Sequence, residues 1–491
     1  MLRIYFIILA LIAANGLSLA QTSAAKSKKK PKEKTATMEE AKIYHEAYLL
    51  LRKAQDMIGT PKEYSDEQAA LFQKAIQIKP DFIEARYDLG LIYAKRKKWQ
   101  EAIDQFEATV QLDPKFENVH FLLASSYQEM GRMEESIGAL EEGIKVSPTD
   151  AKMLKALAYL QIKEKKDSEA IANLQRVLEI DPIDVDSRIE LATLFQRRNE
   201  WDKAILNYKD ALKVDSQKYP VHFNLALIYL TQKKYADAAV ELESANQIHP
   251  GDPDILRFLG DAYAGQRLFE KAAGAYKSAT EKAPDRSELF FKLGMVYANL
   301  GKNAAAASAF ETAVKLNPKD PKAYFVLGDL YSELKKDIDA IAAYKQSLDI
   351  DPKQANVHFS LGTLYAENNN LPEAITELNA AVQLDPAFPS AWANLALVSE
   401  RLGNEQSAIQ AHEKVISLGK GQAMNYFKLG FLYARNKQPD PAIAAFAKSI
   451  ELEPEKYRNI LMEELKKVHS DLDSIRYKSE FRRLLPDLKS Q

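Results

Sequence analysis

The stretch Ile83–Phe116, IEARYDLGLIYAKRKKWQEAIDQFEATVQLDPKF, decides how this chain folds, because it recurs. It is 34 residues long, and eleven units follow one another in register, without a gap, to Lys456. The seventh position is leucine in every unit, from Leu89 and Leu123 to Leu395 and Leu429. The eighth is always Gly or Ala, and the eleventh is aromatic except at Gln161 and Ser399. Positions 4, 7, 8 and 11 are three or four residues apart, which places them on one face of a first helix.

A second helix follows in each unit. Position 20 is Ala everywhere except Ser136, position 24 is mostly bulky (Phe106, Tyr208, Phe310, Phe446), and position 27 is small or β-branched. Small residues let two helix backbones approach, and large ones fill the space beside them. Position 32 is Pro in all units but two, where Ser216 and Lys420 stand. Proline lacks an amide proton and biases its predecessor away from helix, so it is expected to end each hairpin.

This pattern resembles the tetratricopeptide repeat, whose units also run to 34 residues. Tyr324, Leu327, Gly328, Tyr331, Ala340, Tyr344 and Pro352 carry the resemblance in one unit, and Trp392, Leu395, Ala396 and Ala408 carry it in another. It implies an all-α fold, a right-handed superhelical solenoid of about twelve helical hairpins, with the first helices lining a concave surface. A lone hairpin cannot bury both faces, so each repeat completes its core against its neighbours.

The domain reading follows from the array. Residues 1–20 form a signal peptide, 21–37 a Lys-rich linker, 38–82 a divergent first repeat, 83–456 the eleven regular repeats and 457–491 a C-terminal cap. In 1–20, Arg3 precedes the apolar run Ile4–Ala14, and Ser18-Leu19-Ala20 offers small residues before Gln21. The alternative is an uncleaved membrane anchor. The lysine cluster Lys26–Lys34 lies where it would resist translocation; export is expected nonetheless. The linker either contacts an anionic surface or serves as a solubilising spacer. In the divergent repeat, Ala41, Tyr44, Ala47, Tyr48 and Leu51 fall on one helical face, with Phe72 and Ala75 in a second helix. In the cap, Ile460, Leu461, Leu465 and Val468 form an apolar stripe, and Asp471–Leu485 reads as a second capping element. Pro389–Gln422 departs most from the pattern, with Ser399, His412 and Gly419-Lys420-Gly421 at fixed positions. Either a flexible joint or ordinary drift explains it.

Composition narrows the function. The chain of 491 residues has a net charge of −2 and no cysteine. Six lysines stand against one glutamate in residues 21–38, which leaves the array acidic and without a basic stripe for nucleic acid. Disulfides, thiol chemistry and cysteine-held metals are excluded. The histidines do not pair at the spacing of a helical metal site, and His120, His222 and His358 all share position 4, which reads as structural. No phosphate-binding glycine loop is found. The chain therefore reads as a non-enzymatic scaffold without cofactor or metal.

The resemblance further implies that positions 2, 5, 9 and 12 of the first helices face the groove. Position 5 supplies Tyr87, Phe121, Phe223, Phe291, Phe325, Phe359 and Phe427, and position 9 adds Leu91, Tyr159, Leu227, Met295, Leu397 and Phe431. Aligned, these would hold a protein or peptide segment along an apolar track; the competing reading packs the position 5 rings between hairpins. A carboxylate clamp is not expected, because position 9 contains no Asn, and an Asn ladder gripping peptide backbone is not expected either, because only Asn224 and Asn394 occupy position 6. The expected role is an exported scaffold that assembles or tethers proteins in a bacterial periplasm or cell envelope; the chain lacks both Cys and Asn-x-Ser/Thr sequons. An accessory subunit of a polysaccharide or pilus secretion machine, and a self-associating structural repeat protein, are the alternatives.

Overall fold

The computed structural model describes residues 38–467 and 470–485; the signal segment, the lysine linker and Val468 lie outside the described residues. Among the described residues there are 26 helices and no strand. The helices alternate as first and second members of hairpins, opening with α1 (Met38–Gln55) and α2 (Asp66–Ile78), then α3 (Ile83–Lys95) and α4 (Trp99–Leu112). The chain divides into two compact units at Val221–His222, inside the helix Tyr219–Thr231.

Three devices recur along the regular units. The first is a glycine–ring contact. A Cβ added at Gly294 would lie 2.6 Å from Phe310, and one at Gly260 would lie 2.5 Å from Tyr276. Gly90, Gly328 and Gly430 meet Phe106, Tyr344 and Phe446 in the same way. Where position 24 is the shorter Leu140, Leu174 or Leu242, position 8 is Ala124, Ala158 or Ala226. Glycine thus stands where a flat ring must reach the partner backbone, and alanine where leucine leaves room. Three units depart from this, with Ala192 at the position facing Tyr208, Gly362 facing Leu378 and Ala396 facing His412.

The second device ends the first helix. Position 15 is left-handed in all eleven units, at Lys97, Gly131, Lys165, Asn199, Lys233, Arg267, Gly301, Lys335, Asn369, Gly403 and Lys437. The next amide then bonds back to the carbonyl of position 11, as in Lys98 N to Tyr93 O at 2.9 Å and Lys336 N to Tyr331 O at 2.9 Å. This Schellman closure satisfies carbonyls that the helix end would orphan.

The third device ties a repeat to its predecessor. Position 4 donates to the carbonyl of the preceding proline: Arg86 to Pro80 at 2.8 Å, Arg188 to Pro182 at 2.8 Å and Trp392 to Pro386 at 3.0 Å. His120 makes the same contact with Pro114 at 3.0 Å, and His358 with Pro352 at 3.2 Å. The Tyr hydroxyl at position 11 donates to Glu at position 25 of the repeat before, Tyr331 to Glu311 at 2.8 Å, and likewise Tyr127 to Glu107 and Tyr433 to Glu413.

The two ends differ from the sequence reading. In α1 the buried face is Ala47, Leu51 and Ala54, while Ala41, Tyr44 and Tyr48 are exposed. Among the described residues no repeat precedes α1 to cover its first turns. At the other end Pro454 opens a helix, α25 (Pro454–Leu465), instead of only closing a loop. Its buried residues are Tyr457 and Leu461, and Ile460 faces outward. Tyr457 stacks 4.5 Å from Phe427, and Phe481, in the short helix α26 (Ser479–Arg483), lies 5.8 Å from Phe446. Leu472, Ile475 and Leu485 complete that cluster.

Candidate functional site

The candidate site is the outward surface of the first helices. In the second unit, the first helices α17 (Pro321–Glu333), α19 (Ala355–Glu367) and α21 (Pro389–Arg401) approach one another directly, so their free positions form one continuous strip.

The position 5 rings serve that strip less than their number suggests. Tyr87 and Phe427 are buried and belong to the core, a correction to their reading as groove residues. The cause is neighbouring rings: Tyr87 lies 4.8 Å from Phe116, and Phe427 is enclosed by Phe431, Phe446 and Tyr457. Phe121, Phe223, Phe291, Phe325 and Phe359 are half-buried. Phe291 meets Phe310 edge-on at 5.1 Å, Phe325 lies 6.1 Å from Tyr344, Phe359 4.9 Å from Phe388 and Phe223 5.5 Å from Phe258. These rings are therefore partly open and partly spent on packing.

Position 9 is more open. Met295 is 39% and Leu397 47% exposed, while Leu91, Tyr159, Leu227 and Phe431 are half-buried. Met295 sits in a cavity of about 410 Å³ with Ala264, Phe269, Tyr276, Phe291 and Asn299, and Glu288 and Lys292 stand at its lining. This is an apolar recess with polar groups around it, the general form of a side-chain pocket.

Two position 9 residues are acidic, and the structure explains them. Asp261 accepts from the Tyr276 hydroxyl at 2.5 Å and from Lys292 at 2.9 Å. Asp329 accepts from the Tyr344 hydroxyl at 2.7 Å. A tyrosine at position 24 thus takes a carboxylate fifteen residues before it as partner. Both tyrosine pKa values are pushed well above the usual phenol value, Tyr276 by burial and the Asp261 charge, Tyr344 by burial and its bond to Asp329. Burial also raises the Asp329 carboxyl. The pairing was present in the sequence, in the Asp261–Tyr276 and Asp329–Tyr344 spacing, but a reading by single positions passes over it. Beside it the Arg257 guanidinium lies over Phe258, 3.7 Å from the ring centroid and 3.5 Å from Asp261.

The irregular repeat Pro389–Gln422 is filled by polar bonds. Buried His412 replaces the usual bulky apolar residue; its Nε2 donates to Glu400 at 2.7 Å, because Nδ1 accepts from Asn425 at 3.3 Å. Lys428 reaches the same carboxylate at 2.9 Å. Burial pushes the Glu400 carboxyl up, but the His412 and Lys428 bonds outweigh it and hold it below the usual value. Ser399 meets Ser407 at 3.1 Å where an aromatic ring would otherwise stand. Asn394 is engaged with Thr363 at 2.8 Å.

Among the described residues no group of three or more His, Asp or Glu converges as a metal site, and no helix is long and apolar enough to cross a membrane. Such a surface can present recesses and half-exposed rings to a polypeptide.

Comparison with known proteins places the repeats. A Tetratricopeptide repeat sequence model matches residues 121–184, 189–253 and 291–355, and a TPR repeat model matches 90–131 and 364–403. Further Tetratricopeptide repeat models match 229–293, 343–376, 389–418 and 425–456. No curated protein matches the chain. Among similar solved structures is YrrB, a TPR protein with an unusual peptide-binding site, at 20% identity; the alignment covers 38% of this chain and 95% of YrrB, with a TM-score of 0.35. MamA from Desulfovibrio magneticus is 21% identical over 34% of this chain and 96% of its own, with a TM-score of 0.33. A tetratricopeptide repeat protein from Parabacteroides merdae is 18% identical over 55% of this chain and 98% of its own, with a TM-score of 0.37.

Proposed function

Because the chain belongs to the tetratricopeptide repeat family, a family of protein–protein interaction scaffolds, we propose that it is an exported, non-enzymatic member that assembles or tethers protein complexes of a bacterial cell envelope. Partner segments lie along the first helices, and no single repeat supplies the affinity. Many modest contacts, linked on one chain, raise the effective concentration of each for the next.

The observation that carries this reading is the partly open state of positions 5 and 9. Met295 and Leu397 are exposed on first helices whose other large apolar residues are buried or half-buried, and Met295 opens into the recess beside Phe291. Apolar side chains left open in an otherwise well-packed helical face are what a docking segment requires. Export is read from Arg3, the apolar Ile4–Ala14 and the small residues before Gln21.

Cell fractionation with an N-terminally intact, C-terminally tagged chain tests export. Recovery in the periplasmic or envelope fraction is expected, and recovery in the cytoplasm overturns it. Site-specific photocrosslinking from Met295 and Leu397 tests the surface: defined partner crosslinks at these two sites, and none from Leu206, exposed on the second helix Trp201–Val214, are expected.

A further inference from the structure

Positions 9 and 13 of a first helix are neighbours on one helical face. Among the eleven regular repeats only α17 fills both with carboxylates, Asp329 and Glu333. Like charges at this spacing oppose each other and call for a cation between them. The chain supplies none. Half-buried Asp329 accepts from the Tyr344 hydroxyl at 2.7 Å, and exposed Glu333 accepts from the Asn303 amide at 2.7 Å. Both partners are neutral, and among the described residues neither carboxylate has a basic side chain at ion-pair distance.

Asp261, at position 9 two repeats earlier, shows what is missing. Its carboxylate also accepts from a position 24 tyrosine, Tyr276, but Lys292 of the next first helix completes it at 2.9 Å. The residue standing to Asp329 as Lys292 stands to Asp261 is Ser360. Burial and then the Glu333 charge raise the Asp329 carboxyl, as befits an anion short of its counter-ion.

This unmatched pair follows directly on the Met295 recess. Met295 holds position 9 of the preceding first helix, α15 (Ser287–Asn299), and Asn303, which bonds Glu333, opens the second helix of the same repeat. The recess lining is mostly apolar and aromatic, and its Lys292 is already taken by Asp261. An apolar opening on one helix, with two carboxylates lacking a cation on the next, is complementary to an apolar side chain followed by a basic one. Packed helices lie about 10 Å apart and an extended chain advances about 3.3 Å per residue, which sets the two side chains about three residues apart.

We propose that α15 and α17 dock an extended partner segment that seats an apolar side chain in the Met295 recess and a Lys or Arg against Asp329 and Glu333. This rests on the reading of the chain as a scaffold for polypeptides and adds the chemistry of the segment it takes.

Selection of a random peptide library, displayed on phage, against the full chain is the test. Peptides with a large apolar residue about three positions from Lys or Arg should be enriched. A synthetic peptide of the selected sequence should bind at least about tenfold more weakly to Asp329→Asn, Glu333→Gln, and more weakly as salt rises. Asparagine still accepts from Tyr344 and glutamine from Asn303, so this variant should melt like the parent. Glu333→Lys, at an exposed position, supplies the cation within the chain and should abolish the preference for basic peptides. Selected peptides without a basic residue, or binding that ignores Asp329→Asn, Glu333→Gln, overturn the proposal. If Met295→Lys nonetheless abolishes that binding, the scaffold reading stands and only the segment's chemistry fails. Failure to select any peptide sensitive to Met295→Lys overturns both. A dimer of the chain that Asp329→Asn, Glu333→Gln dissolves would give the face to a second copy and overturn the proposal.

Discussion

Gly294→Ala is the smallest change that tests how the repeats pack. The added Cβ would sit 2.6 Å from one Phe310 ring carbon and 2.7 Å from the next, against a ring with no exposed surface. The ring cannot withdraw freely, because Phe291 meets it edge-on at 5.1 Å. Overpacking of this kind costs about 1–3 kcal/mol. Alanine's better helix propensity returns about 1 kcal/mol, which leaves a net loss of about 1 kcal/mol. With Phe310→Leu in place the ring is gone, and Gly294→Ala should then stabilise by about 1 kcal/mol through propensity alone. The chain already uses that combination at Ala124 with Leu140 and Ala226 with Leu242. Native-state hydrogen exchange of the Ser287–Asn299 and Asn303–Leu316 helices reads local opening and avoids assuming that a repeat array unfolds in one step. A change of the same sign on both backgrounds would refute the glycine–ring account.

Other perturbations have definite signs. Lys335→Gly, at a left-handed backbone φ of 57°, should stabilise its repeat by about 1 kcal/mol in a denaturant titration, since a lysine there carries a steric cost that glycine avoids. Asp88 is buried with its carboxyl raised to about 7, chiefly by desolvation, against one hydrogen bond from Gln55 at 3.1 Å. The folded state holds that proton more tightly, so stability is greatest below the unfolded value near 4 and falls as pH rises to about 7. Asp88→Asn should flatten that slope and raise the melting temperature at pH 8, by at most about 4 kcal/mol of stability. His358 bonds Glu377 at 2.6 Å, which raises its pKa despite partial burial. Its contribution is complete below about 6.5 and is lost as pH rises through the raised value, so His358→Gln should remove a decline in melting temperature above that pH.

The architecture was legible because period 34 repeats the same constraints eleven times, and a slip in any one unit is visible against the rest. The site was less so, because an aromatic residue on a first helix can pack or bind with the same chemistry. Tyr87 and Phe427 are decided by Phe116 and Tyr457, rings that belong to other elements and that no single-position rule connects to them. The ends failed for a related reason. Tyr44 and Tyr48 lie on a plausible core face, yet among the described residues no preceding repeat covers them, and at the other end Tyr457 takes the inward place assigned to Ile460. The left-handed lysines of position 15 were also hidden, since glycine or asparagine marks such a turn and lysine does not.

The central claim is that open apolar positions on the first helices hold partner proteins. A crosslinking pull-down from the native host, with a C-terminal tag and mass spectrometry, compares the chain with a Met295→Lys, Leu397→Lys variant. The account predicts that defined envelope proteins are captured by the chain and lost with the variant, while the two melt alike. Equal capture by both, or recovery of the protein alone, would contradict it.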